Sequence, residues 1–281
     1  MRKILFGAKY SVIEPLGLLH LASVAKQEGF DPHVSLVRDR EFRDFDAQVK
    51  RLSPEYVGFT VYTGNHLQTF EYLDSLRKRR PDIKVVIGGP HPTFFPADSS
   101  PHADYVVLSE GFGGLREVLS GRAQKGIVPI KAQEDFPPSE REGFYKAYPE
   151  HRANPIKSVI TATGCPYSCT YCYNSCTLEA IAGSLTEGQR KTMAQALPSS
   201  GRLFPKSKRT VQAVLDEVEE IKRSSPETRM IYFQDDVFGA DINWTREFAK
   251  AYPATGLPFH AQLRFEYADP VRIMVERELD D

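Results

Sequence analysis

Apolar positions along the first 120 residues alternate between two patterns. Largely apolar runs stand at residues 3–7, 33–37, 56–62, 83–87 and 105–108. Between them lie stretches with helical spacing. Leu16–Gln27 carries Leu16, Leu19, Leu21 and Val24 on one side and stops at Glu28-Gly29, a helix-ending pair. Residues 42–52 are amphipathic, 67–79 end in Lys78, Arg79 and Arg80, and 115–119 repeat the pattern. Cations near a helix C-terminus suit its dipole. Continuous apolar runs that alternate with amphipathic segments predict parallel strands buried on both faces. The first domain, residues 1–122, is therefore expected to be an α/β doubly wound sheet of five strands, flavodoxin- or Rossmann-like.

The pattern breaks over residues 121–155, which hold Pro129, Pro137, Pro138, Pro149 and Pro155 among many charges. Residues 123–155 are expected to form a linker or an extended strap. A strand at 156–161 then opens a second domain, 156–281. A polar, irregular stretch at 175–208, a loop or a helical insertion, follows, then a strongly amphipathic helix at 210–223. A strand at 229–233, a helix at 244–252, a strand at 259–265 and a helix at 271–279 complete the series. No short-period repeat is visible.

Charge and composition narrow the function classes. Lys plus Arg total 36 against 37 Asp plus Glu, for a net charge of −1. That balance offers no field for nucleic acid or an anionic membrane. No apolar run nears the ~18 residues of a membrane span. Lys9 cuts the opening apolar stretch too short for a signal peptide. The expectation is a cytoplasmic protein.

The four cysteines, Cys165, Cys169, Cys172 and Cys176, all fall within twelve residues. A disulfide framework spreads its thiols to staple distant loops, so a metal or cluster is the better reading. Gly164-Cys165-Pro166-Tyr167-Ser168-Cys169-Thr170-Tyr171-Cys172 follows a strand directly. Three thiolates spaced C-x3-C-x2-C can wrap a [4Fe–4S] cluster and leave one iron open to a small molecule. Two alternatives stay open. One is a structural zinc site, although zinc ligands usually come from two separated knuckles. The other is a closed ferredoxin-like cluster with Cys176 as fourth ligand.

The loop resembles the signature of the radical SAM enzymes, including the aromatic Tyr171 before the third cysteine. The resemblance implies that Cys165, Cys169 and Cys172 ligate the cluster and that the open iron chelates S-adenosylmethionine. Cys176 then stands as a bystander thiol. Gln234-Asp235-Asp236 ends the next strand, where that family often carries Gly-Gly-Glu. Asp235 and Asp236 are expected to hold the SAM amino group, with Gln262 and Arg264 at the third strand end meeting its carboxylate. Loop capping by the Asp pair and a surface ion pair at Arg264 are the plain alternatives.

The first domain resembles the cobalamin-binding domain that precedes the barrel in a large radical SAM branch. The matching residues are Pro15-Leu16-Gly17-Leu18-Leu19, Val57-Gly58-Phe59-Thr60, Ile87-Gly88-Gly89-Pro90-His91-Pro92-Thr93 and Tyr105 through Gly111. The resemblance implies that Leu16, Gly17, Thr60, Tyr62, Thr63, Gly88, Gly89, His91 and Glu110 line the cobalamin site. Gly88-Gly89 is expected to let backbone approach the macrocycle or its tail, with Tyr62 and His91 toward the cobalt. One departure stands out. Where methionine-synthase-type domains carry a cobalt-ligating histidine, this chain has Ala8-Lys9-Tyr10-Ser11-Val12-Ile13. Cobalamin thus lacks a protein imidazole here, or the domain no longer binds it.

Together the resemblances imply a cobalamin-dependent radical SAM enzyme that methylates an unactivated carbon or phosphorus. SAM would supply both the radical and, by way of cobalamin, the methyl group. The implied substrate is a small molecule or peptide, and the implied reductant is flavodoxin or ferredoxin. Radical rearrangement or cyclisation without methyl transfer is the neighbouring alternative. A non-catalytic cobalamin or electron-transfer module is the alternative from another class. Residues 156–281 hold about three strand–helix units, whereas a full barrel takes ~250 residues. The expectation is a partial radical SAM (β/α) barrel, completed by a further C-terminal segment or by a partner.

Overall fold

The computed structural model describes residues 1–131 and 136–264. The chain opens with β1 (Arg2–Lys9), α1 (Leu16–Gln27), β2 (Phe30–Val37), α2 (Arg43–Leu52), β3 (Tyr56–Thr60) and α3 (His66–Arg79). It continues through β4 (Lys84–Gly88), α4 (Pro90–Phe94), α5 (Pro96–Ser99), β5 (Tyr105–Val107), α6 (Phe112–Leu119) and β6 (Gly126–Val128). Then come α7 (Glu142–Ala147), α8 (Pro149–Ala153), β7 (Ile156–Val159), β8 (Ala162–Thr163) and α9 (Glu187–Ala196). The last elements are β9 (Ser207–Lys208), α10 (Val211–Ser224), β10 (Met230–Phe233), α11 (Ile242–Ala251) and β11 (Phe259–Ala261). The helix expected at 271–279 and the end of the last strand lie outside the described residues.

The chain divides into two compact units. The first comprises Met1–Phe144 and Ser175–Phe204, the second Tyr145–Asn174 and Pro205–Asp281. In the first, six parallel strands lie in the order β2-β1-β3-β4-β5-β6. Five consecutive residues of β1, Ile4 to Ala8, are buried, as a sheet covered on both faces requires. One core joins Leu5, Val57, Phe59, Val85 and Ile87 to Phe45, Val49, Leu73 and Leu76 of α2 and α3. Phe42 stacks on Tyr72 at 4.3 Å and 4°. α1 and α6 pack against each other.

Two stretches depart from the expectation. The proline-rich segment contributes a sixth strand, β6, paired with β5 through Tyr105↔Gly126, Val106↔Ile127 and Val107↔Val128. Residues 136–141 then strap across α1. Glu140 N donates to Leu19 O at 3.0 Å, and His20 Nδ1 donates to Pro137 O at 2.8 Å. Arg141 and Glu14, both buried, pair at 2.5 Å. The insertion after the cysteine loop folds with the first unit. Its Ile181, Leu185, Met193, Leu197, Leu203 and Phe204 join the core of that unit. A Thr186/Gln189 capping box starts α9, and Gln189 Nε2 donates to Ile127 O at 3.0 Å.

The second unit carries a parallel sheet in the order β11-β10-β7. Its core is aromatic, with Phe233, Phe238, Trp244, Phe248 and Tyr252 around Val159, Val214, Val218 and Ile221. Thr210 caps α10 by accepting from Ala213 N, and Asp241 caps α11 by accepting from Asn243 N and Trp244 N. Consecutive strands therefore lie side by side, and their C-terminal ends point the same way. Those ends hold the cysteine loop, Gln234-Asp235-Asp236 and Gln262-Leu263-Arg264.

Candidate functional sites

The first site is the C-terminal edge of the six-stranded sheet. With strand order 2-1-3-4-5, the chain reverses direction across the sheet between β1 and β3, where open α/β sheets take their ligands. A cleft of about 470 Å³ opens there, lined by Lys9, Arg38, Arg40, Phe42, Thr60 and Asn65 among others. Its lining mixes apolar side chains (Val37, Phe42, Phe59) with polar ones (Thr60, Asn65, Gln68), and Lys9, Arg38 and Arg40 add cations. Asp39, the acid among them, accepts a hydrogen bond from Arg43 N at 3.1 Å. Phe42 holds a φ of 56°, strained for a bulky side chain.

The same edge exposes apolar side chains. Tyr10, Val12 and Ile13 follow β1, Tyr62 follows β3, Leu67 lies in the first turn of α3, and Phe95 follows α4. Exposed apolar side chains gathered in this way are typical of ligand-binding grooves and interaction surfaces. Among the residues expected to line the site, Thr60, Tyr62 and Thr63 stand at the end of β3 and just beyond it. Glu110, partly buried, follows β5, and Gly17 is exposed on α1. Leu16 is buried instead and serves the core.

Gly88-Gly89 has a different physical reason from the expected one. Gly89 sits at φ 96° and ψ −170°, a region open essentially to glycine. A Cβ there would lie 3.0 Å from Thr60 Cγ2 and 3.2 Å from the Val61 backbone. At Gly88 it would lie 3.1 Å from Val107 O. The missing side chains admit the ends of β3 and β5.

His91 is buried, with Thr63 Oγ1 3.0 Å from Nδ1 and Asp98 Oδ2 3.0 Å from Nε2. Both ring nitrogens are engaged, so this imidazole supports the edge from beneath. The apolar rim Val12, Ile13 and Phe95 and the cations Lys9, Arg38 and Arg40 were not expected from the sequence. Their signal is apolar and basic residues placed just past strand ends.

The second site is the cysteine loop. Gly164, at φ 72°, turns the chain into it, and a Cβ there would meet Pro205 O at 2.9 Å and Lys206 Cα at 3.0 Å. Cys172 N donates to Cys169 O at 3.1 Å, which closes a tight turn. Cys165, Cys169 and Cys172 are partly buried. Cys176 belongs to the other unit, packed against its apolar core, and its carbonyl accepts from Leu203 N at 3.0 Å. Two buried polar atoms flank the loop without a hydrogen-bond partner among the described residues, Thr163 Oγ1 before it and Asn174 Oδ1 after it. Such atoms are rare in a finished fold and fit a polar group seated against the loop. Tyr171 is 91% exposed.

The next two strand ends reach the same loop. Tyr173 OH donates to Asp236 Oδ1 at 3.0 Å, and the Arg264 guanidinium lies 3.9 Å from the centre of the Tyr167 ring, within cation–π range. Gln262 Nε2 donates to Tyr232 OH at 2.8 Å, which turns its amide toward β10.

Asp235 is not turned outward beside Asp236. It is buried and takes hydrogen bonds from Thr161 N at 2.7 Å and from Thr161 Oγ1. The pair thus fastens the ends of β7 and β10. Burial pushes its carboxyl up to about 6, against the opposing pull of the Thr161 hydrogen bonds. A carboxyl raised in the fold binds more protons folded than unfolded, so its contribution favours the fold at low pH. That contribution disappears as pH rises through about 6. Asp235→Asn is therefore expected to gain stability relative to the parent between about pH 4 and pH 7, by on the order of 3 kcal/mol. Urea midpoints of both proteins across that range check it. A constant difference across the range contradicts it.

Residues 2–119 match the family model of the B12 binding domain. Two relatives carry methyltransferase names. Uncharacterized methyltransferase PH0819 of Pyrococcus horikoshii is 30% identical over 187 residues, 57% of this chain and 40% of the relative. Bacteriochlorophyllide d C-8(2)-methyltransferase of Chlorobaculum tepidum is 28% identical over 151 residues, 50% of this chain and 32% of the relative. The matches span less than half the length of either relative. A cobalamin-binding protein of Desulfitobacterium hafniense aligns at 26% identity over 32% of this chain and 44% of its own, with a TM-score of 0.28. No helix among the described residues is long and apolar enough to cross a membrane.

Proposed function

We propose that the chain is a cobalamin-dependent radical SAM methyltransferase, acting on an unactivated centre of a small molecule or peptide. One observation carries the reading. The loop with C-x3-C-x2-C follows the first strand of a sequential parallel sheet, and residues from the next two strand ends, Asp236 and Arg264, reach that loop. Cys165, Cys169 and Cys172 would hold a [4Fe–4S] cluster with one iron open. Cys176 is partly buried and packs against the core of its own unit, which favours the three-cysteine reading over a closed four-cysteine cluster. A cluster held there would supply the electron for reductive cleavage of SAM, and bound cobalamin would carry the methyl group.

The residues present suit these groups. Arg264 offers a planar fork to the SAM carboxylate, and Asp236 offers an acceptor to its amino group. Exposed Tyr171 offers a ring face to the adenine. On the other unit, the apolar strand-end rim suits the corrin face. The cationic cleft at the β1/β3 switch point suits the phosphate-bearing tail. A flavodoxin or ferredoxin would deliver the electron.

The cobalamin half of the reading is tested on the full chain. Incubation with hydroxocobalamin followed by gel filtration is expected to yield a coloured stoichiometric complex. Arg38→Ala combined with Arg40→Ala is expected to weaken it about tenfold, the loss of charge-assisted contacts at the rim. A parent chain that retains no cobalamin contradicts the reading.

A further inference from the structure

Three side chains form a hydrogen-bonded series along the strand-end edge of the first unit. Asp98 Oδ2, His91 Nε2, His91 Nδ1 and Thr63 Oγ1 follow one another with both contacts at 3.0 Å. The His91 ring is held from every side. His66 stacks on it at 4.1 Å and 22°, and the Phe95 and Phe70 rings lie 5.0 and 5.7 Å away. Its own backbone N–H donates to Val61 O at 3.1 Å. The ring therefore keeps its two nitrogens on their two partners.

The order of donors follows from the partners. An ionised carboxylate only accepts, so the proton sits on Nε2 and points at Asp98. In the neutral ring Nδ1 then has no proton and accepts. The Thr63 hydroxyl, which can do either, donates to Nδ1. Thr63 itself is exposed on the loop after β3, beside exposed Tyr62. With its proton committed inward, its oxygen offers only lone pairs outward.

We infer that Asp98 and His91 are positioning residues that fix Thr63 as a hydrogen-bond acceptor for an amide N–H of the ligand on this edge. The inference rests on the cobalamin reading, because a corrin is rimmed with primary amides that donate such bonds. An acceptor held in one orientation selects among ligand poses, as a freely rotating hydroxyl cannot. The same geometry explains why a buried histidine sits between two prolines in the first turn of α4. Its work is to turn a surface hydroxyl.

Two measurements on the full chain test it. In ¹⁵N-histidine NMR of the unloaded protein, the signals lost in His91→Gln are expected to show a protonated Nε2 and a bare Nδ1. A protonated Nδ1 overturns the inference. In hydroxocobalamin titrations, Thr63→Val is expected to bind about tenfold more weakly, the loss of one hydrogen bond. Thr63→Ser, which restores the hydroxyl, is expected to stay within about twofold of the parent. Thr63 is exposed, so unchanged melting of both variants separates binding from folding. Equal affinity of Thr63→Val and parent overturns the inference and leaves the cobalamin reading standing. A parent chain that binds no cobalamin overturns both.

Discussion

Cys165→Ala is expected to abolish iron–sulfur incorporation. After anaerobic reconstitution the parent chain should carry about four irons, and the Cys165, Cys169 and Cys172 variants each less than about one. Cys176→Ala should keep the parental content. The contrast follows from geometry. The first three thiols share one short loop, entered through the Gly164 turn and closed by the Cys172–Cys169 backbone bond. The fourth is packed against the core of the other unit, so its loss costs packing and no ligand. Four-cysteine ligation would reverse the pattern, with Cys176→Ala losing the cluster too. Iron assay and visible absorption of the four variants read the difference.

Gly89→Ala is expected to be the most damaging small substitution at the strand-end edge. Two penalties combine. The backbone conformation at φ 96° costs a residue with Cβ about 1–3 kcal/mol. The new methyl would press on Thr60 Cγ2 and on Val61 backbone atoms that cannot move alone, an overpacking cost of about 1–3 kcal/mol. Together they should lower the melting midpoint by roughly 5–15 °C. The displaced β3 end carries Thr60 and leads into Tyr62 and Thr63, so cobalamin affinity should fall even where the variant remains folded. Gly17→Ala is the control. It stands on exposed α1 surface with open space around its Cβ, and better helix propensity should leave stability unchanged or higher by up to ~1 kcal/mol. Thermal melts of both variants decide it. Equal midpoints for Gly89→Ala and the parent would mean that the β3 and β4 ends are not locked together.

What could be read from the sequence was what depends on near neighbours. Leu16–Gln27 is a helix at both expected ends, because its spacing and its Glu28-Gly29 stop are local. The cysteine loop stands out for the same reason, since its C-x3-C-x2-C spacing is local, within the eight residues Cys165 to Cys172. The sixth strand was not, because Gly126-Ile127-Val128 is three residues long and becomes a strand only beside β5. A strap was expected, but not its seat on α1, which depends on the Arg141–Glu14 pair, whose members are 127 positions apart. α9 is mostly polar and is held by its capping box and by buried Met193. Nothing in its periodicity separates it from a loop.

The candidate sites divide along the same line. The sequence puts the candidate residues at strand ends but does not say which way each side chain turns. Asp235 and Asp236 are alike in sequence. Thr161, on the neighbouring strand end, draws the first inward, and Tyr173 meets the second at the surface. Gly88-Gly89 reads as a ligand cradle, and the structure adds close packing of Gly88 on the β5 end and of Gly89 on the β3 end. His91 reads as a cobalt-facing residue until Asp98 and Thr63 take its nitrogens.

The open iron is the central claim, and electron paramagnetic resonance of the reduced, reconstituted chain tests it most directly. The account predicts a [4Fe–4S]⁺ signal that changes on addition of S-adenosylmethionine, and the loss of that signal in Cys165→Ala. A signal indifferent to S-adenosylmethionine, or one that survives Cys165→Ala, would contradict it.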